Sequence, residues 1–449
     1  MNKRVETIEF ATPYGKSIRM YCNENNDIDY FKVSVTFDNG ADIEDALSKR
    51  LGQDHNFYGL LHLAEHMAFK STENYSATEI DQTIRKIGKH NAYTSTNELH
   101  FFMSTISKYS MEVVSMLCEI AFSDHKFNTQ EELESERDVV VSEVNSYYSD
   151  KVNNQKLEAS AIMNGLSTKA NIIGDTDVIS NCTLEMLTYI KNSVMINSNI
   201  DITINYNKNN VDIVKIRDML LNASDDAVNS ISDAPILSTS EIYPALVNGN
   251  DYFKESAVID RVVEDTTSFV TYMKIDAATT RFKWMNEVDG YLYKLAKQSI
   301  FKVLRSDKGL FYNMYFSTVN YNANKFSLIA QCAHDEGKSD EILDALIEVL
   351  KYNAENYSVE DHENLLNTIY IEYNMSLSSN KEFDYVGNIR PFVDELMPYI
   401  QSDIKHAYMN YIKDNLTYEN VKAYINEIYE MVANKDNKYT KNIIKYRLP

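Results

Sequence analysis

The sequence predicts an α+β protein of two similar domains, and three observations carry that expectation. At 449 residues the chain is too long for one ordinary hydrophobic core and suggests two domains of roughly 200 residues each. Strand-like alternation followed by helical periodicity occurs in the first half and again in the second, the pattern of sheets covered by helices. Between them, from about 222 to 251, lies a polar stretch of weak periodicity that holds Pro235 and Pro244, the composition of a linker. The expected division is 1–222 for the first domain, 223–251 for the linker and 252–449 for the second domain.

In the first domain, Ser17-Ile18-Arg19-Met20-Tyr21 and Phe31-Lys32-Val33-Ser34-Val35-Thr36-Phe37 alternate in strand fashion, the second ending at the turn Asp38-Asn39-Gly40. They are expected to form a hairpin or two neighbouring strands. A polar connection follows, and Gly59-Leu60-Leu61 opens a helix that runs to Phe69. Ser76-Ala77-Thr78-Glu79 has the capping-box pattern, and Ile80, Ile84 and Ile87 supply the apolar stripe of a second helix that Gly88 stops. Asn91 to Thr105 is expected as strand, helices over about 110–123 and 129–149 follow, and Ile200-Asp201-Ile202-Thr203-Ile204 is a closing strand. In the second domain the spacing predicts a strand from Ser268 to Ile275, a helix over about 284–304, strands near 311–318 and 326–332, and helices over about 338–355 and 359–377.

Composition excludes several functions. Hydrophobic residues at 44% are enough to build cores, so the chain is not a disordered one. The excess of 66 Asp+Glu over 44 Lys+Arg, a formal charge of -22, would repel a phosphate backbone, so no nucleic-acid partner is expected. Nothing approaches a run of about 18 apolar residues, so no membrane span is expected. The N-terminus moves into Thr7-Ile8-Glu9-Phe10 without an apolar core of signal-peptide length. Cys22, Cys118, Cys182 and Cys332 form no C-x-x-C pair. A reducing, cytoplasmic setting is the expectation, with a virion or an organelle left open. Gly15-Lys16-Ser17 is no phosphate loop, because Phe10 stands where its first glycine would have to be.

The chemistry concentrates at His62-Leu63-Ala64-Glu65-His66. At about 100° per residue, His62 and His66 lie one turn apart on one helix face, with Glu65 within reach of the same side. Two imidazoles can thus grip one ion while a carboxylate points at its open position. A hydrolytic zinc site needs a third protein ligand and an exchangeable water, whose pKa the metal lowers to about 7. The third ligand must come from elsewhere in the chain.

The H-x-x-E-H pentad is the inverzincin signature, and Gly59 to Thr72 closely resembles the zinc helix of the M16 peptidases. The resemblance implies domains that are each a mostly antiparallel sheet covered by helices. It also implies one Zn2+ per chain, with a third ligand on a later helix about 76 residues beyond the second histidine. Glu143, in Glu136-Arg137-Asp138-Val139-Val140-Val141-Ser142-Glu143, stands there. Glu136, two turns earlier on the same face, is implied to hold a histidine ring or the ligand helix in place. Asn91-Ala92-Tyr93-Thr94 resembles the family's edge strand, on which an extended peptide adds by β-augmentation. Arg305 and Tyr312, seven residues apart around Gly309-Leu310, resemble the pair that holds substrate carbonyls and steadies the oxyanion. The sequence departs from the family at Ser71 and at Lys89-His90, where glycines are usual.

The implied function is that of a zinc-dependent endopeptidase acting on extended peptides or unfolded protein segments in a closed chamber, with Glu65 as general base first and acid second. In that family a complete chamber uses four such domains, so a homodimer or a heterodimer with a related subunit is expected, with Arg305 and Tyr312 reaching the zinc site of the partner or of the same chain. The alternatives are an inactive or structural subunit of a complex and a dedicated virion or assembly maturation protease with a single target.

Overall fold

The computed structural model describes residues 5–24, 26, 29–52, 56–164, 171–242, 256–277, 300–311, 313–322, 325–378, 407–433 and 439–449. The first elements are β1 (Val5–Ala11), β2 (Ser17–Glu24), β3 (Phe31–Phe37), α1 (Asp42–Leu51), α2 (Leu60–Met67), α3 (Ala77–Ile87), β4 (Gly88–Thr94) and β5 (Leu99–Thr105). Then come α4 (Ser110–Ala121), α5 (Gln130–Ser149), α6 (Lys151–Asn164), α7 (Thr176–Ser180), α8 (Leu184–Asn197), β6 (Ile200–Tyr206), α9 (Ile213–Ser230) and α10 (Thr239–Ile242). The rest are β7 (Ala257–Val262), β8 (Phe269–Ala277), β9 (Asn313–Asn322), β10 (Lys325–His334), α11 (Ser339–Asn356), α12 (Val359–Ser378), α13 (Ala407–Asn415), α14 (Tyr418–Ala433) and β11 (Thr440–Arg447).

Two compact units result. One contains Met1–Ser146 and Lys169–Ile242; the other contains Tyr147–Thr168, Tyr243–Ser378 and Met409–Pro449. The first unit is built on a six-stranded sheet of order β1-β2-β6-β3-β5-β4. All seven residues of β6 are buried, the signature of a strand covered on both faces. Its one charge, Asp201, is 2% exposed and is paired by Arg19, whose Nε and Nη2 donate at 2.7 and 3.0 Å to the two carboxylate oxygens. A fork-to-fork pair of this kind satisfies a buried carboxylate. Along β3, Phe31, Val33, Val35 and Phe37 are all completely buried, while β5 alternates buried and half-buried residues, as a strand with one face on the core should.

Several expectations change here. Ser17–Tyr21 and Phe31–Phe37 form no hairpin and are not neighbours, because β6 pairs parallel with β2 and antiparallel with β3 and so lies between them. The stretch expected as one strand from Asn91 to Thr105 is two antiparallel strands, β4 and β5, joined across Ser95–Glu98. The polar connection before the zinc motif contains a ten-residue helix, α1. Its acidic first turn (Asp42, Glu44, Asp45) and basic last turn (Lys49, Arg50) both complement the helix dipole. The capping box at Ser76 and Glu79 forms as expected, and α9 runs to Ser230, into the stretch expected as linker. The four cysteines are unpaired and buried.

The second unit has a five-stranded sheet of order β7-β11-β8-β10-β9. Its pairing repeats that of the first: β7 runs parallel to β11, and β11, β8, β10 and β9 follow antiparallel, as β2, β6, β3, β5 and β4 do. In each unit two helices follow the hairpin, α4 and α5 in the first, α11 and α12 in the second. The chain is thus α+β, with two domains of one design. Helix α6, inside the expected first domain, belongs to the second unit: Ala159 and Met163 pack with Phe269, Val270, Tyr272 and Ile444. Among the described residues no helix is long and apolar enough to cross a membrane.

Candidate metal centre

Helix α2 has one apolar side, with Leu60, Leu61, Leu63, Ala64 and Met67 each no more than 1% exposed. That face seats the helix, and the other carries His62, Glu65 and His66. The helix begins at Gly59, whose φ of 91° is left-handed. A side chain there would be strained, and its Cβ would come within 2.6 Å of the Cα of Gly174; only glycine lets the two backbones meet. Gly59 offers no capping side chain. Glu44 of α1 takes that role: its Oε2 accepts from the Gly59 N–H at 2.9 Å and its Oε1 from the Leu61 N–H at 2.6 Å. At the other end the Asn128 amide donates to the carbonyls of Met67 and Ser71 at 3.3 and 2.9 Å, and Asn128 is itself paired with the buried His125 ring at 2.9 Å.

Helix α5 presents Glu136 and Glu143 to the histidines. Glu143 Oε2 lies 3.8 Å from His62 Nε2 and 3.8 Å from His66 Nε2, and the two imidazoles stand edge to face with centroids 4.9 Å apart. One ligand atom from each of His62, His66 and Glu143 falls within a common 4.8 Å. Tetrahedral zinc with bonds of about 2.1 Å separates its ligand atoms by about 3.4 Å, so the three need only close slightly around an ion. Glu136 Oε2 lies 3.2 Å from His66 Nδ1, and with Nδ1–H as donor the Nε2 lone pair faces Glu143. The other oxygen of Glu136 binds Lys70 Nζ at 2.5 Å. Those two bonds, the histidine's first, hold Glu136 below the usual carboxylate range.

Protonation suits a cation. Burial, helped by the neighbouring His66, lowers His62 to about 4, leaving a neutral ring. Burial also works against a charge on His66, but hydrogen bonding to Glu136 and the charges of Glu143 and Glu65 outweigh it and raise its pKa. A metal would replace that proton, so its affinity should weaken as pH falls. The donor set of two imidazoles and a carboxylate fits zinc.

Glu65 is raised above its ordinary pKa by burial, against the pull of a hydrogen bond from Thr94, whose Oγ1 donates to Glu65 Oε2 at 2.8 Å. Thr94 closes β4, the last strand of its sheet. On that strand Asn91 and Tyr93 are exposed and Ala92 is half-buried; the Tyr93 hydroxyl donates to Glu98 at 2.7 Å, and its ring stacks on His100. Ser71 uses the hydroxyl a glycine would lack, donating to Glu132 at 2.7 Å. In the second unit Arg305 is half-buried in the π-helical segment Lys302–Asp307, its guanidinium 4.7 Å from the ring centre of Phe301. Tyr312 lies outside the described residues.

Sequence reasoning missed Glu44, Lys70, Asn128 and Lys191. The signal for Glu44 was present, since Ile43, Ala46 and Leu47 carry helical spacing through the supposed connection. Lys191 left no such trace. It is 1% exposed, donates to the Ala121 carbonyl at 2.8 Å, and lies over the rings of Phe37 and Phe101 at 4.8 and 4.5 Å. Burial lowers it to about 7, while the charge of Glu65 pulls the other way. A base whose folded pKa lies below its unfolded value binds more protons unfolded, so its contribution to stability rises with pH between those two values. Melting curves of Lys191→Met and wild type at pH 6 and pH 9 should show the gap moving by a few degrees in favour of wild type at the higher pH. A gap independent of pH would contradict the buried-ammonium account.

Residues 51–176, which hold the pentad, Glu136 and Glu143, match the model of the family described as Insulinase (Peptidase family M16). The chain is 30% identical over 138 residues to the ubiquinol-cytochrome-c reductase complex core protein I of Euglena gracilis, covering 30% of this chain and 25% of that one. It is 35% identical over 86 residues to the mitochondrial-processing peptidase subunit beta of Saccharomyces cerevisiae, 19% of this chain and 18% of the relative. The matched segments thus span a quarter or less of those relatives' length. The fold matches far more widely: a protease from Helicobacter pylori superposes with a TM-score of 0.67 over 98% of this chain and 99% of its own, at 16% identity.

Proposed function

We propose, from the premise that residues 51–176 belong to peptidase family M16, that the protein is a zinc-dependent endopeptidase acting on extended peptides or unfolded protein segments. The observation that carries this reading is the convergence of His62 Nε2, His66 Nε2 and Glu143 Oε2, with Glu65 on the same short helix. Zinc bound there would lower the pKa of a water to about 7 and polarise the scissile carbonyl. Glu65 takes the proton of the attacking water and returns it to the leaving amine, and its burial favours holding that proton between the two steps. Thr94 holds the Glu65 carboxylate, its hydroxyl donating to Oε2. Glu136 orients His66.

The outer edge of β4 is the place for substrate: Asn91, Ala92 and Tyr93 offer backbone groups to a peptide that adds as a further strand. Arg305 and Tyr312, in the second domain, hold substrate carbonyls, and a second copy or a related subunit completes the chamber. The proposed setting is cytoplasmic. A second reading, a structural subunit, draws on the match to a respiratory-complex core protein; against it stands the full set of ligands and base. Metal analysis of the purified protein, with digestion of a pool of unstructured peptides, tests the choice. One zinc per chain and cleavage abolished by a chelator are expected; a zinc-free, inert protein would leave the structural reading.

A further inference from the structure

The two histidines of α2 are held in different ways. The ring of His66 is fixed from outside by Glu136. The Nδ1 of His62 is buried and meets no hydrogen-bond partner among the described residues. A metal-bound histidine ordinarily has its second nitrogen anchored, and that anchor sets the ring. With none on His62, the direction of its ring rests on its edge-to-face packing with His66 and on the backbone beneath it, the first turn of α2. At eight residues that helix is too short to be stable alone, its first N–H groups have no partners within the helix, and Gly59 supplies no cap.

The carboxylate of Glu44 closes that gap, one oxygen on the Gly59 N–H and the other on the Leu61 N–H, the residue next to His62. Two bonds from one rigid, planar group fix both the rotation and the height of the turn; burial raises the Glu44 pKa to about 8 against the pull of those backbone donors, so its hold comes from the two hydrogen bonds. Glu44 is 1% exposed. Helix α1 also grips the approach to α2 through Ser48, whose Oγ accepts from the Phe57 N–H at 3.2 Å, and through Asp45, whose Oδ1 accepts from the Tyr58 hydroxyl at 3.0 Å.

We propose that Glu44 is the positioning residue of His62, doing through the helix backbone what Glu136 does directly for the ring of His66. This rests on the zinc reading above. The test measures zinc affinity by competition with a chromophoric chelator, and the d–d spectrum of the cobalt-substituted protein, for wild type, Glu44→Ala and Glu44→Gln. Melting of the metal-free proteins is followed alongside. Glu44→Ala should raise the zinc Kd roughly 10- to 100-fold, the scale seen when a ligand's outer partner is lost, and should broaden the cobalt bands. Glu44→Gln keeps one acceptor oxygen and should recover part of both. A lower melting temperature with zinc Kd and cobalt spectrum unchanged overturns the proposal, because it makes Glu44 a general stabiliser. If Glu44→Ala does not fold, Glu44→Gln decides, and a wild-type Kd in that variant overturns the proposal. A wild-type chain that binds no zinc removes the metal reading itself, a failure distinct from these.

Discussion

Glu65→Gln is expected to keep its zinc and lose turnover by roughly 10²- to 10⁴-fold, the usual contribution of a positioned general base. The substitution is nearly isosteric, and a glutamine carbonyl can still accept the Thr94 hydroxyl that now bonds Glu65 Oε2 at 2.8 Å. What it cannot do is take a proton from water and hand it to an amine. Because Glu65 is not among the three converging ligands, metal content should be that of wild type. Zinc analysis and kcat on one peptide decide the matter together: a metal-replete variant cleaving at the normal rate would refute the assigned role.

Glu143→Ala should have the opposite signature, in which the metal goes first. Its side chain is 45% exposed, and its near neighbours are the two histidines at 3.8 Å. The metal-free protein should therefore melt within about 0.5 kcal/mol of wild type, as for most surface changes. Zinc affinity should fall by more than the roughly 10- to 100-fold expected for loss of an outer partner. Glu136→Gln, which weakens the hold on His66 and the ion pair with Lys70 but removes no ligand, is the control with the smaller effect. Equal zinc affinity in Glu143→Ala and wild type would strike Glu143 from the ligand set.

What could be read from the sequence was what lies close together along it. His62, Glu65 and His66 share five consecutive residues, so helix geometry alone puts them on one side. The box at Ser76 and Glu79 is local in the same sense, and so is the alternation of Leu99, Phe101 and Met103, although Tyr93, expected to point inward with them, is 43% exposed. Glu143 came only through the resemblance, because no rule of local periodicity links it to His66. The grip of Thr94 on Glu65 and of Glu44 on the Gly59–Leu61 turn joins separate elements, and side-chain contacts of that kind leave no mark in a local pattern. The same holds for strand order: β2 and β3 look like a hairpin because they are neighbours in sequence, while the partner they share is about 180 residues away from β2. Helix α1 was missed for another reason, its many charges masking a short apolar stripe.

The insertion of β6 between β2 and β3 bears on how this half of the molecule can be made. On a ribosome both histidines and both α5 carboxylates emerge well before residues 200–206, yet until that last segment arrives the sheet lacks its middle. A nascent chain would then expose two unfilled strand edges, the condition that invites mispairing and calls for chaperones. Residues 51–176, the segment that matches the family model, contain none of β2, β3 and β6. Expressed alone they would carry every proposed ligand with only β4 and β5 of the sheet that supports them. Any minimal version of the metal domain has to start before Ser17 and run past Tyr206.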